Sequence, residues 1–198
     1  MAHSIEVLLN PGADAAIRAA WQMLDEAGLP SQVQVHSPTN RPHVTLVAAR
    51  RIRPEVDDLL RGLADRFPLR CPVGAPLVFG GRRLTLARLI VPSVPLLALH
   101  EEVYRRCLPY VESEPYAHCR PGQWTPHATL GRRMTAEQVG LAMALVTGEV
   151  TGEVAGEVTA ETEGRIDGEV GGQADLPAEA VGLRRWDSDE RVDHLLVG

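Results

Sequence analysis

The chain has 198 residues, of which 44% are apolar, and a formal net charge of −6; the length suits one domain or two small lobes sharing a cleft. No apolar run approaches the length needed to span a membrane. All 20 basic residues are arginine, which excludes a phosphate-loop lysine, a Schiff base, and a lysine that carries a nucleotidyl group.

Ser4–Leu9 is a short apolar run and reads as a first strand. Asn10-Pro11 starts a helix, with asparagine at the cap and proline at the first helical position. Ile17, Ala20, Trp21 and Leu24 recur at helical spacing, and Gly28 closes that helix. Val33 and Val35 suggest a brief strand before a turn over Ser37–Pro42. A strand over His43–Ala48 follows. Pro54 opens a second helix with Val56, Leu59, Leu60 and Leu63 on one face. Leu69–Phe79, Gly80-Gly81 and Leu84–Val91 read as two strands and a hairpin turn.

The order then repeats. Ser93 starts a helix carrying Leu96, Leu97, Leu99, Val103 and Cys107. A Pro/Gly-rich loop, Pro109–Pro126, leads to a strand from His127. Thr135 caps a further helix with Val139, Met143 and Val146 inward, and strands follow at Ala180–Trp186 and Val192–Val197. Each half reads strand, helix, strand, helix, strand pair, a duplication of elements rather than of residues.

Residues 148–172 stand apart, with a four-residue beat of Gly-Glu-Val-Thr and Gly-Glu-Val-Ala. Glycine at every fourth position is incompatible with a stable helix, and the segment reads as a flexible acidic insertion. It holds seven acids and one base, which leaves 19 of each sign elsewhere. The rest of the chain is neutral, so a small ligand or the end of an RNA fits better than a long duplex.

Pro42-His43-Val44-Thr45-Leu46 recurs as Pro126-His127-Ala128-Thr129-Leu130. Alternation along a strand puts His43 and Thr45 on one face and Val44 and Leu46 on the other, and the second copy repeats this. Two such strands facing each other make a site of two imidazoles and two hydroxyls. The other reading of the motifs is structural, with both histidines merely hydrogen-bonded at strand entries.

These paired motifs resemble the 2H phosphoesterase superfamily, and within it the branch of 2′-5′ RNA ligases and cyclic phosphodiesterases. The resemblance implies an α+β, bilobal, pseudo-twofold fold over residues 1–198, with two mainly antiparallel sheets lining a central cleft and helices outside. It also implies a phosphodiesterase, needing no metal or cofactor, that opens 2′,3′-cyclic phosphates at RNA ends or on nucleotides. Reversible 2′-5′ RNA ligation by transesterification would accompany it.

In that chemistry one histidine takes a proton from water and the other gives one to the leaving ribose oxygen, while donors hold the non-bridging oxygens. His127 is assigned as base and His43 as acid, the assignment that leaves a 2′-phosphate. Thr45, Thr129 and Arg132 would bind the phosphate; family members often carry an arginine at the last position, whereas the first motif has Ala48 there. Tyr116 and Trp124, in the loop before the second motif, are candidates to stack on a base. The rival readings are a non-catalytic protein holding a nucleotide or RNA end in the same cleft, and an enzyme for another small cyclic phosphate.

His3, His36, His100, His118 and His194 read as structural; His118-Cys119 with His127 lacks the spacing of a zinc site. Three cysteines, Cys71, Cys107 and Cys119, form an odd set without metal-ligand spacing and point to reduced thiols. With no basic-then-apolar leader at the N-terminus, a cytoplasmic monomer is expected.

Overall fold

The computed structural model describes residues 2–148 and 176–198. The acidic repeat therefore lies, except for Gly148, outside the described residues. Among them no helix is long and apolar enough to cross a membrane.

The first sheet is built on β1 (His3–Leu9), which is buried along its whole length. Its antiparallel neighbours are β2 (His43–Ala49) on one side and β7 (Glu179–Asp187) on the other. Along its outer edge β7 pairs with a two-residue β3 (Leu69–Arg70) and then with β8 (Val192–Val197). The second sheet has the order β4 (Val73–Gly80), β5 (Leu84–Ile90), β6 (His127–Met134). In each sheet the motif strand is an edge strand beside the strand that opens its half. β1 and β5 are therefore equivalent, as are β2 and β6, and β7 and β4.

The last hairpin consequently completes the first lobe, not the half it follows in sequence. The stretch read as one strand from Leu69 also divides: Leu69–Arg70 joins β7, and the chain crosses to the second sheet around Pro72, which has no N–H to offer a ladder. At the hairpin, Gly80 sits at φ 111°, and a Cβ there would lie 2.4 Å from the Arg83 carbonyl oxygen.

Helices α1 (Pro11–Glu26) and α3 (Val94–Cys107) cross over: α1 follows β1 but packs on β6, and α3 follows β5 but packs on β2. α2 (Asp57–Arg61) and α4 (Ala136–Thr147) complete the outside, α4 behind a capping box of Thr135 and Gln138. Residues from both lobes form one continuous core, among them Ile5, Leu46, Leu86, Leu99 and Leu130.

Several local expectations differ. Asn10 makes no side-chain cap; its Oδ1 accepts the Glu179 N–H at 3.0 Å, tying the start of α1 to β7. Val33 and Val35 are exposed around a single 3-10 turn, Gln32–Gln34, capped by Ser31. Pro54 opens a 3-10 turn before the short α2. Leu59 and Leu97 are exposed because each lies one residue off the buried stripe of its helix, and Met143 is only partly buried. His3, close to the N-terminus, is almost fully buried in β1, its Nε2 3.2 Å from Asp189.

Candidate active site

The two motif strands meet across a cleft of about 950 Å³. His43, Thr45, His127, Thr129, Arg132, Tyr116 and Trp124 all line it. In both strands histidine and threonine are half-buried while Val44, Leu46, Ala128 and Leu130 point into the core. Each strand also carries one extra residue directly after its threonine. Ile5 pairs Val47 but Glu6 pairs Thr45, skipping Leu46; Leu86 pairs Gly131 but Ala87 pairs Thr129, skipping Leu130. Such a bulge bends and twists the strand locally.

Both imidazoles are oriented in the same way. His43 Nδ1 donates to the Arg41 carbonyl at 2.7 Å, and His127 Nδ1 donates to the Thr125 carbonyl at 2.7 Å. With the proton at Nδ1 engaged, Nε2 is the nitrogen that accepts a proton in the neutral ring and donates one in the charged ring.

The threonines are held from the opposite lobe. Trp21 of α1 donates its indole N–H to the Thr129 carbonyl at 2.9 Å, and Trp124 donates to the Thr45 carbonyl at 2.9 Å. A Cβ on Gly131 would lie 2.1 Å from the Pro30 carbonyl oxygen, so the loop after α1 lies directly against β6. Trp124 is stacked on His100, with ring centroids 3.9 Å apart and planes 6° apart. One indole face is thus taken by protein. Tyr116 is more exposed and near-parallel to His118, and its N–H is fixed to the Ala48 carbonyl at 2.9 Å. Phe79 lies against His127 with centroids 4.5 Å apart.

Burial pushes the His127 imidazole down; the Thr125 hydrogen bond opposes this, and the Arg132, His43 and His118 charges add to it. The neutral ring is therefore favoured, as a general base requires. Beside His43 the surroundings differ. Glu6 Oε1 stands 3.6 Å from His43 Nε2. Burial alone would raise the Glu6 carboxyl, but the His43 and Arg184 charges and hydrogen bonds from Ser4 and Arg184 hold it below the usual carboxylate range.

Glu6 and Arg184 were not anticipated, although both carry a sequence signal. Each is a charged residue in the middle of an apolar strand, where an unpaired charge is not tolerated.

Among the described residues two clusters have the spacing to hold a metal ion, His3–Asp187–Asp189 and Asp187–Glu190–His194. They share Asp187, which already accepts the backbone N–H of Asp189 and Glu190 and a hydrogen bond from Arg185. Neither contains a motif residue. Cys119, like Cys71 and Cys107, is a buried free thiol pushed up by that burial, unlike a metal-binding thiolate.

The model of the 2′-5′ RNA ligase superfamily matches residues 13–156. The chain belongs to this superfamily. Its fold is shared by a structure of Kluyveromyces marxianus Usb1 with uridine monophosphate, at 13% identity over 98% of this chain and 96% of that one, with a TM-score of 0.51. It is shared also by E. coli LigT complexed with 3′-AMP, at 15% identity over 98% of this chain and 92% of that one, with a TM-score of 0.50. No curated protein sequence matches significantly. Membership of the 2′-5′ RNA ligase superfamily makes this a phosphoesterase- or ligase-type protein of 2H architecture.

Proposed function

We propose that the protein is a phosphodiesterase that opens 2′,3′-cyclic phosphates, at RNA ends or on nucleotides, by two-histidine acid/base catalysis without a metal. The observation that carries this is the matched pair of imidazoles in one cleft, each with Nδ1 bound to a carbonyl two residues back and each accompanied by a motif threonine. The nucleotides named with Usb1 and LigT support a nucleotide or RNA end as occupant.

In the forward reaction His127 Nε2 takes a proton from water as the water oxygen attacks phosphorus. The bond from phosphorus to the ribose 3′ oxygen breaks, and His43 Nε2 delivers its proton to that oxygen. The product is a 2′-phosphate with a free 3′ hydroxyl. Thr45, Thr129 and Arg132 donate to the non-bridging oxygens, where negative charge builds. Tyr116, with an exposed ring at the cleft, and the open part of Trp124 offer surfaces for a base. With a ribose 5′ hydroxyl in place of water, the same forward step forms the bond from that oxygen to phosphorus as the 3′ oxygen leaves, which gives a 2′-5′ linkage without adenylation.

Turnover of the four nucleoside 2′,3′-cyclic monophosphates in excess EDTA, with His43→Ala and His127→Ala alongside, tests the proposal. Hydrolysis to the 2′-phosphate that survives EDTA and drops at least about a hundredfold in each variant is the expected result. Binding without turnover in the wild type overturns it in favour of a nucleotide- or RNA-end-binding protein.

A further inference from the structure

The two lobes are built alike but charged differently. In the first sheet the row through the motif threonine runs Thr45–Glu6–Arg184 across β2, β1 and β7. The equivalent row in the second sheet runs Thr129–Ala87–Leu77 across β6, β5 and β4. A buried ion pair on one side faces two apolar residues on the other. Three residues past each motif histidine's threonine the imbalance reverses: Ala48 stands on β2 and Arg132 on β6. Arg132 and Arg133 form a second bulge, opposite Thr85, with Arg133 at φ 61°, and β2 has no counterpart. The negative group thus lies with His43 and the positive group with His127.

We propose that Glu6 is the positioning residue that makes His43 the proton-bearing partner, so that the site has one working polarity despite its twofold plan. This rests on the two-histidine reading above. Glu6 and Arg184 are both almost fully buried. Arg184 binds only one carboxylate oxygen of Glu6, Oε2, through Nε and Nη2 at 2.8 Å each. Oε1 accepts from Ser4 Oγ at 2.6 Å and is the oxygen nearest His43 Nε2. Arg184 is itself shared, with Asp193 Oδ2 at 3.0 Å and the Thr39 carbonyl at 2.9 Å. Two carboxylates surround one guanidinium, so the cluster carries net negative charge, with Glu6 Oε1 on the side of His43.

The separation of 3.6 Å matters. It is longer than a hydrogen bond but short for a charge pair. At that distance Glu6 faces Nε2 as a charge rather than as a hydrogen-bond acceptor, and Nε2 stays open to a substrate oxygen. Among the described residues the other charged or titratable groups around His43 are Arg184 on β7, His118 in the loop before β6, His127 and Arg132 on β6, and Arg41 on its own loop, ion-paired to Asp14 of α1. Arg184 is offset by Asp193 as well as by Glu6, and Glu6 is the acid that lines the cleft.

The test is NMR titration of the His43 and His127 imidazoles in wild type, Glu6→Gln and Glu6→Asp, with pH profiles of turnover on a cyclic monophosphate. In wild type His127 loses its proton at lower pH than His43. Glu6→Gln moves the His43 midpoint to lower pH, leaves His127 in place, and lowers kcat about tenfold near neutral pH with little change in KM. The basic limb of the profile shifts in the same direction, and Glu6→Asp restores part of each effect. An unmoved His43 midpoint in Glu6→Gln overturns the proposal. So does the reverse order of deprotonation in wild type, a reading that needs no variant and decides the matter if Glu6→Gln fails to fold. Absence of turnover with the expected titration order refutes the enzymatic reading and leaves the role of Glu6 intact.

Discussion

Trp124→Phe separates two roles that meet in one side chain. Phenylalanine keeps an aromatic ring against His100 and in the cleft, but it has no N–H for the Thr45 carbonyl 2.9 Å away. Leaving that half-buried carbonyl without its donor costs about 1–2 kcal/mol. At about 2–4 °C per kcal/mol for a chain of this size, Tm falls by roughly 2–8 °C. If most of that energy serves to hold Thr45 against the reacting phosphate, kcat falls about five- to tenfold, since a decade is about 1.4 kcal/mol. KM stays near wild type, because base stacking is retained. Thermal unfolding by circular dichroism and steady-state kinetics on a cyclic monophosphate read the two quantities. A variant with wild-type Tm and kcat refutes the idea that the indole N–H braces the motif strand. A raised KM with unchanged kcat assigns Trp124 to base binding alone.

Three further outcomes follow from the charges and burial. Arg132→Gln is expected to raise KM for a cyclic phosphate about tenfold or more, by loss of a charge-assisted bond to phosphate. The same change removes one of the charges pushing His127 down, so the acidic limb of kcat/KM, which rises as His127 loses its proton, moves to higher pH. His100 is pushed down chiefly by burial. The unfolded chain therefore takes up this proton first, so its contribution is complete above the ordinary histidine range and is lost as pH falls below about 6.5. Chemical denaturation across pH shows that slope in wild type and a flatter one in His100→Phe. Arg185 is 2% exposed and grips Asp57 through two bonds of 2.7 and 3.0 Å. Arg185→Ala strands a buried carboxylate at a cost of about 3–5 kcal/mol, visible as a lower denaturation midpoint. Arg185 faces away from Arg184 along β7, so kcat of the folded fraction holds.

The motif residues were legible because their information is local. Alternation along a pentapeptide decides which side chains share a face, and His43, Thr45, His127 and Thr129 do line one cleft. Helix starts at Ser93 and Thr135 were legible for the same reason, since a cap contacts its own first turn. What was not legible depends on partners far along the chain. Asn10 looks like a cap until β7, some 169 residues later, claims its side chain. Val33 and Val35 have strand-forming side chains but no neighbouring strand to pair with among the described residues. The last hairpin reads as part of the second half by position, yet β7 pairs with β1 and so joins the first sheet. Glu6 is a different case. Its burial between a histidine and an arginine emerges only from the register of three strands, though an acid inside an apolar strand was in plain view.

The crossed packing of α1 and α3, with an indole from each half on the other half's threonine, has a consequence for how substrate gains entry. Two lobes joined by a hinge could open like a clamshell. These lobes share one uninterrupted interior and each braces the other's reactive strand, so a swing of one against the other would break both indole bonds and tear the interior apart. The jaws are welded. Ser37, Thr39 and Asn40 from one loop and Tyr116, His118 and Gln123 from another line the cleft between them, so a ligand would meet a standing mould rather than a pair of closing jaws.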